Sequence, residues 1–144
     1  MVYTDSNFGI EVAKAMYERL QAQAEAGTLY MTFGVGSSSW DTLDPDFPPK
    51  DSNHSEFKRV KVAKSNIYYV ASPSDSEPSS QPTKYIQVLG IITAEDSTLT
   101  IREETLRIDA SSTPSSGAVL LACRHGAVNL ALSNEYLKYL TFSI

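Results

Sequence analysis

The spacing of apolar residues changes period once along the chain, near Gly27. Before it, Ile10, Ala13, Tyr17, Leu20 and Ala24 recur at three- and four-residue steps, with Glu11, Lys14, Glu18, Gln21 and Glu25 on the opposite side. That is the pattern of an amphipathic helix, and it predicts one over residues 7–26. Asp5, Ser6 or Asn7 offers a side-chain oxygen to cap its start, and Gly27 can take the left-handed conformation that ends it. The apolar stripe needs a surface to cover it, either the domain's own sheet or a neighbouring subunit.

After Gly27 the period is that of strands. LYMTFGV at 29–35 is rich in β-forming residues, and in FKRVKVAK Val60 and Val62 alternate with Arg59, Lys61 and Ala63, as in a half-exposed strand. In KYIQVLGII, Ile86 and Val88 share one face and Leu89 and Ile91 the other, which predicts a central strand covered on both faces. Leu99 and Ile101 are out of phase with Leu106 and Ile108, so a bulge or turn is expected near Glu103 and Glu104, with those two residues solvated. AVLLACRH at 118–125 and YLKYLTFSI at 136–144 complete the set, the latter with Leu140, Phe142 and Ile144 on one face and expected to be held in a sheet.

Between these elements lie three Ser/Pro-rich loops, 36–55, 71–83 and 110–117, and no internal repeat is visible. Their composition favours order only when something holds them, and neighbouring subunits are one such support. The fold expected is a single mainly β domain over residues 1–144, an antiparallel β-sandwich or barrel-like domain with one N-terminal α-helix.

Composition narrows the function classes. The chain has 144 residues, enough for one core, with 42% hydrophobic and 20% charged residues. No apolar run reaches bilayer length, and the start lacks the basic and apolar stretches of a secretory signal, so no membrane role and no export by that route are expected. Cys123 is the sole cysteine, which rules out an internal disulfide and a multi-cysteine metal site. A net charge of -5 disfavours nucleic acid, and strand alternation would split the cluster Lys58, Arg59, Lys61 and Lys64 between two faces.

The motifs that resemble catalytic machinery each lack a partner. Arg124-His125-Gly126 after an apolar run looks like the opening of a histidine phosphatase, but that family places it near the N-terminus with a second histidine later, whereas His54 lies in an earlier Ser/Asp loop. It reads as a strand ending at a glycine turn or bulge. Gly34-Val35-Gly36 has no third glycine, lysine or following helix to make a phosphate loop. Asp41, Asp44, Asp46 and Asp51 are interrupted by Pro45, Pro48 and Pro49 and fit no calcium-loop pattern. Glu103 and Glu104 are neighbours and point to opposite faces of a strand, so they form no carboxylate pair, and Cys123 sits in an apolar strand where a small buried residue is expected. No catalytic residue, metal ligand or cofactor is assigned, and the chain is read as a non-enzyme.

The run Leu29-Tyr-Met-Thr-Phe-Gly, then Ser39-Trp40, then an Asp/Pro stretch ending Phe47-Pro-Pro-Lys-Asp-Ser52, resembles a baseplate-wedge protein of contractile-tailed phages of the T-even type. The order of helix, Gly-x-Gly strand and proline-rich loop is also similar to the N-terminal domain of phage tail-collar fibre proteins. The likeness covers about residues 8–62 and departs from the T-even protein in length, which is much greater there. It implies a virion protein of the tail baseplate, made in the host cytoplasm, in a homo- or hetero-oligomer that links the central baseplate to wedge or fibre subunits. Trp40, Phe47, Pro48 and Pro49, with Tyr17 on the helix, are then the contact candidates, because a large aromatic and pre-ordered prolines bury area at low entropic cost. Trp40 covering the domain's own core is the competing assignment. The rival function is a carbohydrate- or receptor-binding β module using Trp40, Tyr68, Tyr69 and the Ser/Asp loops.

Overall fold

The structure is a computed structural model that describes residues 6–42 and 55–143. The chain is mainly β, with two antiparallel sheets and one N-terminal helix. The helix, α1, spans Ser6–Ala26. Seven strands follow: β1 Tyr30–Gly34, β2 Glu56–Lys61, β3 Ile67–Val70, β4 Tyr85–Thr93, β5 Leu99–Ile108, β6 Ala118–Leu130 and β7 Glu135–Ser143. Sheet A has the order β2-β1-β5-β6 and sheet B the order β3-β4-β7. Among the described residues no pairing joins the two sheets and no closed barrel forms. They face each other as a sandwich.

The helix forms where the apolar spacing predicts it. Ala13 and Leu20 are fully buried, Tyr17 and Ala24 are half-buried, and the charged residues opposite are exposed. Gly27, at φ 75°, ends it, with its N–H on the Ala24 carbonyl and the Thr28 N–H on that of Gln23. The stripe packs on β3 and β4, where the Tyr17 and Tyr69 rings stack with centroids 4.7 Å apart.

Strand alternation fills the space between the sheets. Met31, Phe33, Leu106 and Ile108 from sheet A meet Ile86, Val88, Ile92, Leu140 and Phe142 from sheet B in one core. At Gly90 of β4 a Cβ would sit 2.3 Å from the Met31 sulfur, so a side chain there would push the layers apart. Phe33 meets Tyr136 of β7 edge to face at 6.1 Å.

Four sequence expectations change. β4 is central in its sheet but covered on its outer face only in part: Ile86, Val88 and Ile92 are buried inward and Gln87 is buried outward, donating to the Asp75 carbonyl, whereas Leu89 is half-buried and Ile91 is 36% exposed. β6 does not end at Arg124-His125-Gly126 but runs on to Leu130. The phase slip in β5 is real, because Ile101 pairs with Val128 and Glu103 with Arg124, but the extra residues, His125 to Ala127, bulge from β6. Glu103 and Glu104 are not solvated; they are 1% and 0% exposed. A further strand, β3, has no counterpart in the sequence reading.

Candidate interaction surface and a buried carboxylate cluster

Sheet A's outward face carries the charge. Tyr30 and Thr32 of β1, Thr105 and Arg107 of β5, Arg59 of β2 and Arg124 of β6 stand on it, alternating with the core residues. All are largely buried. Arg59 grips Glu56 through two bonds, Nε to Oε2 at 2.8 Å and Nη2 to Oε1 at 2.9 Å, and also donates to the Ser111 carbonyl and Ser116 hydroxyl of the β5–β6 loop. Arg107 donates to Thr105 and to the Ser115 carbonyl, and burial pushes its pKa down.

Trp40 belongs to this cover. A short 3-10 turn, Ser38–Thr42, lays it over β6, where its ring lies 4.3 Å from the Arg124 guanidinium and it is 7% exposed. The same turn caps the β6 bulge: Asp41 accepts the Ala127 N–H, left out of the ladder by the extra residues, at 2.8 Å, and pairs with Arg102 at 2.9 Å. The Arg102 hydrogen bond, helped by that N–H, holds the Asp41 carboxyl below its usual range.

On the inner side of the same strands lies the arrangement that most resembles catalytic machinery. Glu104 Oε2 accepts His125 Nε2 at 2.7 Å and the Tyr136 hydroxyl at 3.3 Å, and Lys138 Nζ lies 3.3 Å from Oε1. The other imidazole nitrogen, Nδ1, is 2.6 Å from the Gly126 carbonyl. Both ring nitrogens therefore face oxygens, and the doubly protonated imidazolium donates to both. Burial lowers the histidine's affinity for its proton, but the hydrogen bond and charge of Glu104, with the Gly126 carbonyl, outweigh it and raise the pKa above 6.5. Burial likewise raises the Cys123 thiol and the Tyr136 phenol.

These groups tie β5 and β6 of sheet A to β7 of sheet B. Glu104 is fully buried and its donors come from its own chain, while the His125 and Lys138 side chains reach the surface, 14% and 21% exposed. A thiol pushed upward is the opposite of an activated nucleophile. Glu104 shares the parity of Leu106 and Ile108, so its inward direction was already readable from the strand phase.

Sheet B's outward face is the reverse of sheet A's. Leu89 pairs with Tyr139 and Ile91 with Leu137, four apolar residues side by side. Ile91, Leu137 and Tyr139 are 36%, 45% and 40% exposed. On the helix, Phe8 and Val12 add a second exposed apolar pair, one turn apart.

The residues singled out in the sequence are not brought together. Tyr17 is against Tyr69, Trp40 is against Arg124 on the other sheet, and Phe47, Pro48 and Pro49 lie outside the described residues, as do Asp44, Asp46, Asp51, His54 and Ile144. Of the aromatics in the glycan-binding alternative, Trp40 is covered, Tyr69 is stacked, and the Tyr68 hydroxyl donates to Gln87 at 2.9 Å. Among the described residues no group of three or more metal-binding side chains forms, and no helix is long and apolar enough to cross a membrane. No family model matches the chain, and no curated protein matches it significantly.

Proposed function

We propose that this chain is a structural subunit of a phage-tail baseplate, joining the central baseplate to wedge or fibre proteins, and that it acts by contact rather than by catalysis. The observation that carries the contact reading is the outward face of sheet B, where Leu89, Ile91, Leu137 and Tyr139 form one apolar surface in water. Such a patch marks a surface that another protein covers. The full burial of Glu104 and the raised Cys123 thiol support the non-catalytic half of the reading. The specific assembly rests on the likeness of the Thr-Phe-Gly strand, the Ser-Trp pair and the Pro-Pro-Lys-Asp-Ser run to baseplate-wedge proteins.

The test is co-expression with the products of flanking genes, followed by sedimentation of assembled tail particles. The chain is expected in the particle fraction, and flanking genes are expected to encode sheath, tube or spike proteins. A neighbourhood of metabolic enzymes with no tail genes, or a chain that never enters the particles, ends the baseplate reading.

A further inference from the structure

A sheet edge left open in water offers a row of backbone donors and acceptors that only another extended chain can satisfy. The sandwich has four such edges, and three are guarded. β2 slips register where Phe33 gives way to Gly34. β3 has four residues and lies against α1, whose Gln21 donates to the carbonyls of Lys64 and Ile67. β6 shifts register twice along β5 and carries the Ser38–Thr42 turn on its bulge. β7 differs: it pairs with β4 over nine residues, Glu135 to Ser143, without a slip, and among the described residues nothing pairs with its other side.

We propose that β7 pairs antiparallel with β7 of a second copy of this chain, fusing two three-stranded sheets into one of six strands. The inference rests on the reading of the chain as a contact-forming subunit and names its first contact. Three features select a second copy. Full overlap of Glu135–Ser143 with itself puts its midpoint, Tyr139, opposite its own copy, Lys138 opposite Leu140 and Glu135 opposite Ser143, so no like charges meet. The exposed side chains of Leu137 and Tyr139 then continue the apolar surface of Leu89 and Ile91 into that of the second copy. Finally, a lysine pointing inward normally guards an edge because its charge must reach water past any added strand. Lys138 ends instead beside buried Glu104, so an added strand strands no charge.

Sedimentation velocity of the intact chain, from low to high micromolar, is expected to show a monomer–dimer equilibrium. Tyr139→Lys and Tyr139→Glu each place like charges face to face on the two-fold axis, and each is expected to weaken the dimer at least about tenfold. An equimolar mixture of the two is expected to restore it, which also shows that both variants fold, and Tyr139→Phe is expected to dimerise as wild type. A wild-type chain that stays monomeric, a dimer indifferent to both charges, or a mixture without rescue overturns the pairing. The two readings fail separately: a monomer that still joins tail particles defeats only the β7 pairing, and a rescued dimer that joins none defeats only the baseplate assignment.

Discussion

The two outward faces of the sandwich invert the usual relation between polarity and exposure. Sheet A turns arginines, threonines and glutamates outward, yet Thr32, Glu103, Thr105, Arg107 and Arg124 are all 4% exposed or less. Sheet B turns leucine, isoleucine and tyrosine outward and leaves them in water. The difference lies in what the chain lays over each. Loop 109–117 and the Trp40 turn supply carbonyls, hydroxyls and an aromatic ring to the outer side of sheet A, so Arg59 and Arg107 are hydrogen-bonded where they are buried, and Arg124 lies against the Trp40 ring with its Nε and Nη2 making no hydrogen bond among the described residues. Nothing among the described residues does this for the four apolar residues of sheet B. A polar face that is covered needs no further partner, and an apolar face that is open is the one the proposed contact would use.

If sheet A's cover is part of the fold, breaking it must cost the isolated chain heavily. The Arg59 and Glu56 side chains are 6% and 5% exposed and doubly bonded. Arg59→Ala leaves the Glu56 carboxylate buried without its cation and frees the Ser111 carbonyl, so urea denaturation is expected to show a loss of about 3–5 kcal/mol. The paired replacement Arg59→Met with Glu56→Leu is expected to recover most of it, because two apolar groups need no partner. A single variant as stable as wild type would mean that the loop contacts contribute nothing, and the contrast between the faces would vanish.

The cluster between the sheets sharpens the same contrast, because it is polar and covered by packing rather than by loops. Glu104 (β5), Cys123 (β6), Tyr136 and Lys138 (β7) face His125, with Asp41 and Arg102 beyond the bulge. The folded chain holds the His125 proton more tightly than the unfolded chain does. Its contribution is therefore complete below pH 6.5 and is lost as pH rises through the raised folded value. Between pH 6 and 8, below the range of the cysteine and tyrosine, stability is expected to fall with rising pH by at most about 1.4 kcal/mol per unit. His125→Gln should flatten the slope. A slope of the opposite sign in wild type would show that the imidazole is held neutral.

How much of this was legible in the sequence depends on the range of the interaction. Helix α1 follows from a spacing that repeats within one turn, β2 and β7 from local alternation, and β1 and β4 from short runs of β-forming residues. β3 was missed because Ile67-Tyr68-Tyr69-Val70 is four residues long and its status depends on pairing with β4. The extent of β6 was misread because Gly126 reads locally as a stop, whereas the bulge there is held open by Asp41, 85 residues earlier in the chain. The Glu104 and His125 pair is also a product of register. Glu104 shares the parity of Leu106, yet in the sequence a carboxylate reads as solvated because its donors, on β6 and β7, are not adjacent to it. Trp40 was visible as a large aromatic; that it covers an arginine from β6 was not.

The smallest effect on the isolated chain tests the other half of the comparison. Ile91 is 36% exposed at the centre of sheet B's outward face and pairs with Leu137. Ile91→Thr keeps the β-branch that suits a strand and removes apolar area that the folded monomer leaves in water, so its unfolding free energy is expected to stay within about 0.5 kcal/mol of wild type. Incorporation into tail particles, measured by co-sedimentation, is expected to fall, because a hydroxyl would then be buried under the neighbouring subunit without a prepared partner. A loss above about 1 kcal/mol in the isolated chain would place Ile91 in the domain's own core and erase the distinction between a finished and an unfinished face. Unchanged stability with unchanged incorporation would leave the face exposed but unused, and the contact would have to be sought along the Phe8 and Val12 side of α1.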